Sequence, residues 1–229
     1  MENLTPPNET EASALQSRYT VIHKSLHGAQ LLAVSKEQPA WKIQTLFEKC
    51  GHKSFGENRL TALKERLIFL PNTINWTYLG MLQSSHWRFL KNHPIRLGTI
   101  TNEDPLDWAH AKPPVQPISC LIQVALEPRE DRLGVDLKET EKLIQKFLNQ
   151  KHLKLTGFLF MPLAEKTLAE RKAQFSDVYQ FFKIQKKNYR NRLELNTLSQ
   201  GMSDDYGLAL EEGATEVRLG TLLFGERLR

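Results

Sequence analysis

The chain's reactive side chains gather where short apolar runs give way to polar residues. The run Leu31-Leu32-Ala33-Val34-Ser35-Lys36 is the first of them. Its branched, apolar composition, closed shortly afterwards by Pro39, predicts a buried strand. With a side-chain period of two, Leu32, Val34 and Lys36 share one face. That face starts as hydrocarbon and ends in an amine. An amine on an apolar wall is poorly solvated, which favours its neutral, nucleophilic form. Lysines that form Schiff bases with carbonyl compounds are made in this way. Taken alone, the stretch favours a strand-end lysine that snorkels into solvent; the other strand ends change the balance.

Those ends follow from the pattern of the whole chain. Residues Met1 to Thr10 are polar and carry Pro6-Pro7, which predicts a disordered lead-in, with a helix from about Glu11 to Ser25. His23 and His27 fall four apart on that helix, a spacing more typical of surface histidines than of a metal pair without a further acidic motif. From Leu31 onward strand-like and helix-like segments alternate. Strands are predicted at Leu31–Ser35, through Ser54–Asn58, at Asn75–Leu79, Arg96–Thr101, Ser119–Leu126, Leu153–Phe160, Leu193–Leu198 and Thr215–Leu219. Helices are predicted between them at Trp41–Cys50, Arg59–Phe69, His86–Lys91, Pro105–Ala111, Asp136–Gln150 and Thr167–Lys187, and one capped by Ser203 that stops at Gly213. Eight strands alternating with helices over residues 11–229 predict an α/β fold, a single parallel (β/α)₈ barrel of the TIM type. An open doubly wound sheet is the alternative. No GxGxxG follows the first strand, and no P-loop is present.

In such barrels chemistry sits where strands end and loops begin, and the loops after the last two strands hold phosphate. Here those loops read Ser199-Gln200-Gly201-Met202-Ser203 and Arg218-Leu219-Gly220-Thr221. Ser199 offers a hydroxyl, Gly220 a close backbone approach, and Thr221 a second hydroxyl where a helical turn can begin, a favourable place for an anion. Ser203 is accounted for as a helix cap, and Asp204 and Asp205 beside it would repel a phosphate. A barrel closes, so a lysine after strand one faces a phosphate site after strands seven and eight. An aldehyde cofactor carrying a phosphate fits both ends, which means pyridoxal 5′-phosphate (PLP).

Composition narrows the remaining classes. The longest apolar runs, such as Leu67-Ile68-Phe69-Leu70, are far too short to cross a bilayer, and no signal peptide is evident. Cys50 and Cys120 stand alone, which suits a reducing, cytoplasmic setting and argues against structural zinc. The net charge of +5 is densest at Lys183, Lys186, Lys187, Arg190 and Arg192. That cluster reads as the solvated end of a long helix, so no nucleic-acid partner is expected.

Four stretches carry a family resemblance: LLAVSK at Leu31–Lys36, FGEN at Phe55–Asn58, LGMLQS at Leu79–Ser84, and the pair LSQGMSDD at Leu198–Asp205 with VRLGTLLFG at Val217–Gly225. They make the chain similar to the YggS/PROSC family of PLP-binding homeostasis proteins. The resemblance implies a single barrel like the N-terminal domain of alanine racemase, with PLP held on Lys36 as a Schiff base. It implies that Ser199, Gly220 and Thr221 hold the phosphate, that Met202 belongs to the same cofactor-binding set, that Asn58 lies beside the ring, and that Arg218 faces the pyridine nitrogen. A permanent cation there disfavours protonation of that nitrogen and weakens the ring as an electron sink. It further implies a cytoplasmic monomer whose partners are PLP and PLP-dependent apo-enzymes. The chain departs from the family pattern at Trp76-Thr77-Tyr78-Leu79-Gly80 in place of WHFIG, at His86 in place of the customary lysine of LQSNK, and at Arg132-Leu133-Gly134 in place of K-S-G.

The expected function is therefore PLP carriage without robust catalysis. The chain ends nine residues after Gly220, without the extra domain that alanine racemases draw on. Tyr78, His86 and His110 are the conceivable internal bases, each with a better account as packing or surface polarity. A PLP-dependent amino-acid racemase is the alternative, and a phosphate-ligand or nucleic-acid binder without a Schiff base is the third reading.

Overall fold

The computed structural model describes residues 8–129 and 133–226. Helix α1 (Glu9–Ser25) precedes the strands β1 (Gln30–Val34), β2 (Ser54–Glu57), β3 (Asn75–Tyr78), β4 (Arg96–Ile100), β5 (Ile118–Val124), β6 (Leu153–Phe160), β7 (Thr197–Ser199) and β8 (Glu216–Leu219). Between them run α2 (Ala40–Cys50), α3 (Leu60–Phe69), α4 (Ser84–Leu90), α5 (Asp104–Ala111), α6 (Leu137–Phe147), α7 (Leu168–Asn188) and α8 (Tyr206–Glu211), and α9 (Thr221–Phe224) follows β8. The strands form a closed parallel barrel in chain order, β8 pairing with β1.

Local signals account for most boundaries. Asp136 caps α6 by accepting from Glu139 N–H, and Thr167 and Glu170 form a capping box at the start of α7. Gly51 ends α2 in a left-handed conformation. The apolar core lies between barrel and helices, with Phe158 against Phe181 and Phe182, and Phe160 against Phe175.

The inside of the barrel is different. Leu32 and Gly56 share a face with Leu79, since a Cβ on Gly56 would meet both leucines. Below them the interior is polar. The guanidinium of Arg96 on β4 reaches Glu216 on β8 at 2.6 Å, and these strands stand opposite one another in the ring. Arg96 Nε also donates to Thr77 Oγ1 at 2.9 Å.

Several expectations are revised. The helix begins at Glu9, with Asn8 accepting from Thr10 N–H, so Glu9 and Thr10 belong to α1; residues 1–7 of the expected lead-in lie outside the described residues. His27 is past the end of α1 with φ 48, so it does not share the helix with His23. Strand β7 is shorter than expected: Leu193–Asn196 is irregular, although Leu195 remains buried. The start of β7 comes so close to β6 that a side chain on Gly157 would collide with Thr197 O. Ser203 does not cap α8. Asp205 occupies the cap position, and its carboxylate accepts from Met202 N–H at 2.7 Å. Arg132 lies outside the described residues.

Candidate functional site

The carboxyl ends of β7, β8, β1 and β2 form one continuous arc of the barrel mouth, and every expected site residue stands on it. Lys36 lies two residues beyond β1, in a turn, half-buried. Its neighbour Ser35 is fully buried; the Ser35 hydroxyl donates to Glu57 Oε1 at 2.8 Å and its N–H to Gly56 O at 2.9 Å. The lysine therefore projects from a fixed backbone at the strand end rather than from the strand itself.

Asn58 follows β2 and its residue is exposed. Its carbonyl packs against Gly80 so closely that any side chain at Gly80 would strike it and the Tyr78 ring. Only glycine lets the ends of β2 and β3 approach in this way.

Just after β8, Gly220 closes against β1: a Cβ there would sit 3.3 Å from Val34 O, two residues before Lys36. Thr221 begins α9. The N–H groups of Gly220 and Thr221 donate to no partner among the described residues, while the next amide, Leu222 N–H, donates to Ser203 Oγ at 3.2 Å. Ser203 therefore serves the amino end of α9, not α8, and its hydroxyl proton points away from that bond. Met202 is half-buried; its carbonyl accepts from Asp205 and Tyr206 N–H, which folds the loop back on itself. Arg171 holds Asp205 from α7 at 3.2 Å.

Ser199 ends β7 as expected, but its hydroxyl is engaged inside the barrel. Its hydroxyl is fully buried, donates to Glu216 Oε1 at 2.7 Å and accepts from Arg218 at 3.0 Å. It is a link between two charged side chains of the barrel interior. Arg218 also donates to Ser199 O at 2.6 Å and to Phe160 O at 2.8 Å. Burial pushes the Arg218 pKa down to about 10, with Glu216 and Asp205 opposing and Arg96 adding to the fall. It remains a cation at neutral pH.

Arg218 lines a cavity of about 280 Å³ in the mouth together with Leu79, Thr99, Gln123, Leu133, Leu159 and Met161. Thr99 donates to Gly80 O, and Gln123 Nε2 to Leu133 O, so these polar groups are engaged with the backbone. Among the described residues lining this cavity, Arg218 is the one that titrates. The conceivable bases lie elsewhere. Tyr78 is buried, its phenol pushed up by burial and 3.4 Å from His86 Nδ1 and Met81 O. His110 is exposed on α5.

Reading the sequence missed Ser203, because a serine before Asp-Asp satisfies a cap rule. It also missed Glu57, whose carboxylate is 1 % exposed behind the Lys36 turn. The signal for Glu57 was available: a carboxylate at a buried strand position demands a partner, and Arg66 on α3 is also buried.

The family model for the alanine racemase N-terminal domain matches residues 11–228. The pyridoxal phosphate homeostasis protein of Haemophilus influenzae is 29% identical over 210 residues, covering 90% of this chain and 88% of that protein. The protein of the same name from Escherichia coli K12 is 31% identical over 212 residues, 86% of this chain and 85% of its own length. Among solved structures, PipY of Synechococcus elongatus with PLP bound superimposes with a TM-score of 0.80 at 29% identity, over 92% of this chain and 100% of that one. An alanine racemase from Corynebacterium glutamicum gives 0.74 at 17% identity, with 94% of this chain and 61% of that one, a likeness of fold.

Proposed function

Since the chain belongs to the alanine racemase N-terminal domain family, and within it to the pyridoxal phosphate homeostasis proteins, we propose that it binds PLP at the β7–β8–β1–β2 arc and holds it covalently as a Schiff base on Lys36. The observation that carries this reading is the contact of Gly220 with the end of β1. It brings two amide groups without partners among the described residues beside the turn of Lys36, the one lysine among the described residues of the arc. An amine and an anion cradle side by side suit a ligand with an aldehyde and a phosphate. When bound, PLP supplies an aldehyde carbon open to attack by an amine.

The chain's own residues divide the work. Gly220 and Thr221 offer two N–H groups and a hydroxyl to the phosphate, and Ser203 a further hydroxyl at the start of α9. Ser199 contributes by holding Arg218 rather than by donating outward. Met202 lends the folded loop that carries Ser203. Asn58 borders the ring side of the arc. Arg218 faces the mouth as a fixed cation and keeps a neighbouring ring nitrogen unprotonated.

The same geometry favours carriage over catalysis. Amino-acid racemisation needs a second base opposite the first; among the described residues lining the mouth cavity Arg218 alone titrates, and it stays a cation at neutral pH. A racemase is thus disfavoured. The protein acts in PLP homeostasis, as a cytoplasmic monomer that passes the cofactor to apo-enzymes. Among the described residues no helix is long and apolar enough to cross a membrane. The test is hydride reduction after incubation with PLP, followed by peptide mass. A pyridoxyl label on Lys36, absent in Lys36→Ala, is expected. An unlabelled Lys36 with excess PLP would overturn the reading, and Lys36-dependent racemisation of single-enantiomer amino acids would replace carriage with catalysis.

A further inference from the structure

The turn that carries Lys36 is held more firmly than a surface turn requires. Gln38 N–H donates to Ser35 O at 3.1 Å, closing a four-residue turn. Its third residue, Glu37, has φ 60, a left-handed backbone that such turns normally give to glycine. A side chain adopts it only where the surroundings dictate the path. The surroundings here are buried charges. Arg66 donates to Gln38 O at 2.5 Å, and its Nε lies 3.7 Å from the Glu57 carboxylate that also receives the Ser35 hydroxyl.

On its other side Gln38, 3 % exposed, accepts through Oε1 from Lys42 Nζ at 2.8 Å. The same Nζ donates to Phe224 O at 2.8 Å, at the carboxyl end of α9, where Arg18 takes the adjacent Leu223 carbonyl at 2.8 Å. Lys42 is an odd cation. It is 8 % exposed and sits in the first turn of α2, the helix end that disfavours positive charge. Burial and nearby Arg18 lower its pKa, with Glu11 opposing. What its amine does is join two segments: the Lys36 turn and the helix whose first residue is Thr221.

We propose that Lys42 and Gln38 are positioning residues that fix the spacing between the Lys36 amine and the Gly220–Thr221 amides, so that one ligand is met at its aldehyde and its phosphate together. The inference rests on the PLP reading above. Two-point attachment gains from the second contact only when the span between the points is right. Loosening the link therefore harms a ligand with both groups more than one with the aldehyde alone.

The full chain is incubated with PLP or with pyridoxal, which lacks the phosphate, and labelling of Lys36 after borohydride reduction is followed in time. Thermal melts are recorded alongside. In Lys42→Met and Gln38→Met the ratio of the PLP rate to the pyridoxal rate should fall about tenfold. Lys42→Arg, whose guanidinium serves both acceptors, should restore most of it. A merely structural role slows both labels alike, so a wild-type ratio in the folded variants overturns the proposal. Gln38→Met keeps the carbonyl that Arg66 holds and decides the matter alone if Lys42→Met does not fold. A wild type unlabelled by either aldehyde sinks the PLP reading itself, and is told apart because no substitution is involved.

Discussion

His52 should make the fold lose stability on mild acidification, by an amount that follows from its surroundings. The residue is 8 % exposed just beyond α2, with its ring 5.0 Å from Phe55 and 5.5 Å from Tyr19. Its Nε2 bonds Ser54 O at 2.8 Å, the part of a donor in a neutral ring. Burial pushes its pKa from 6.5 down to about 4, the Ser54 bond opposing and His23 adding to the fall. The folded value lies below the unfolded one, so as pH drops the unfolded chain takes the proton first. Stability is lost from about pH 6.5 downward and the loss levels off near pH 4, where the folded ring titrates too. Above that window the ring is neutral in both states and adds no slope. Between pH 7.5 and 5.0 linkage gives a loss of about 2 kcal/mol, rising to roughly 3 kcal/mol at the lower limit. His52→Phe keeps the ring contacts and gives up the Ser54 bond, about 1 kcal/mol. The variant should be the weaker protein at pH 7.5 and the stronger at pH 5.0. Urea unfolding of both at the two pH values measures this directly, and the difference between them removes every other titrating group. Curves that fall in parallel and never cross would show that the folded protein accommodates a charged His52.

Arg218→Met leaves Ser199 O and Phe160 O without their shared donor inside the barrel, and should cost roughly 3–5 kcal/mol in chemical unfolding; a loss below about 1 kcal/mol would mean the guanidinium holds neither. Gly80→Ala drives a methyl into Asn58 O and the Tyr78 ring. It should destabilise by about 1–3 kcal/mol, and an unchanged melting temperature would deny the close approach of β2 and β3. Thr221→Val, at an exposed position, should leave stability within about 0.5 kcal/mol and weaken PLP binding about tenfold through the lost hydroxyl contact. Equal affinity in a titration would move the phosphate elsewhere.

Strand and helix positions could be read from the chain because the barrel's outer wall and its helices share one apolar layer, which imprints period and punctuation on the sequence. The run Leu153–Phe160 is an example: its bounds in the structure are those expected. Segments whose shape is set by distant backbone are another matter. Leu193–Leu198 looks like a strand by composition, yet its first part is irregular: the chain first bonds β6 at Asn196, whose N–H donates to Thr156 O, and pairs in register only from Thr197, against Gly157. Likewise Ser203-Asp204-Asp205 has the composition of a cap, but the carboxylate of Asp205 turns inward to Met202 N–H and Arg171. That turn moves the start of α8 to Tyr206 and frees Ser203 for α9.

The candidate site shows the same division more sharply. Lys36, Asn58, Gly220 and Thr221 could be singled out as candidates because each follows a strand, and strand ends are where a parallel barrel exposes its loops. Ser199 could not be assigned in the same way. Its side chain is the register neighbour of Glu216, and Glu216 is already bound to Arg96 from the opposite wall of the barrel. A hydroxyl between that carboxylate and Arg218 is committed before any ligand arrives. No spacing rule carries this information, since Arg96 and Glu216 are 120 residues apart and meet only because eight strands close. It follows that the inner polar layer sets the electrostatics of Arg218, while the rim residues are the ones the PLP reading assigns to the ligand. On the PLP reading, a change at Ser199 would therefore act on the cofactor through Arg218, and a change at Thr221 would act on it directly.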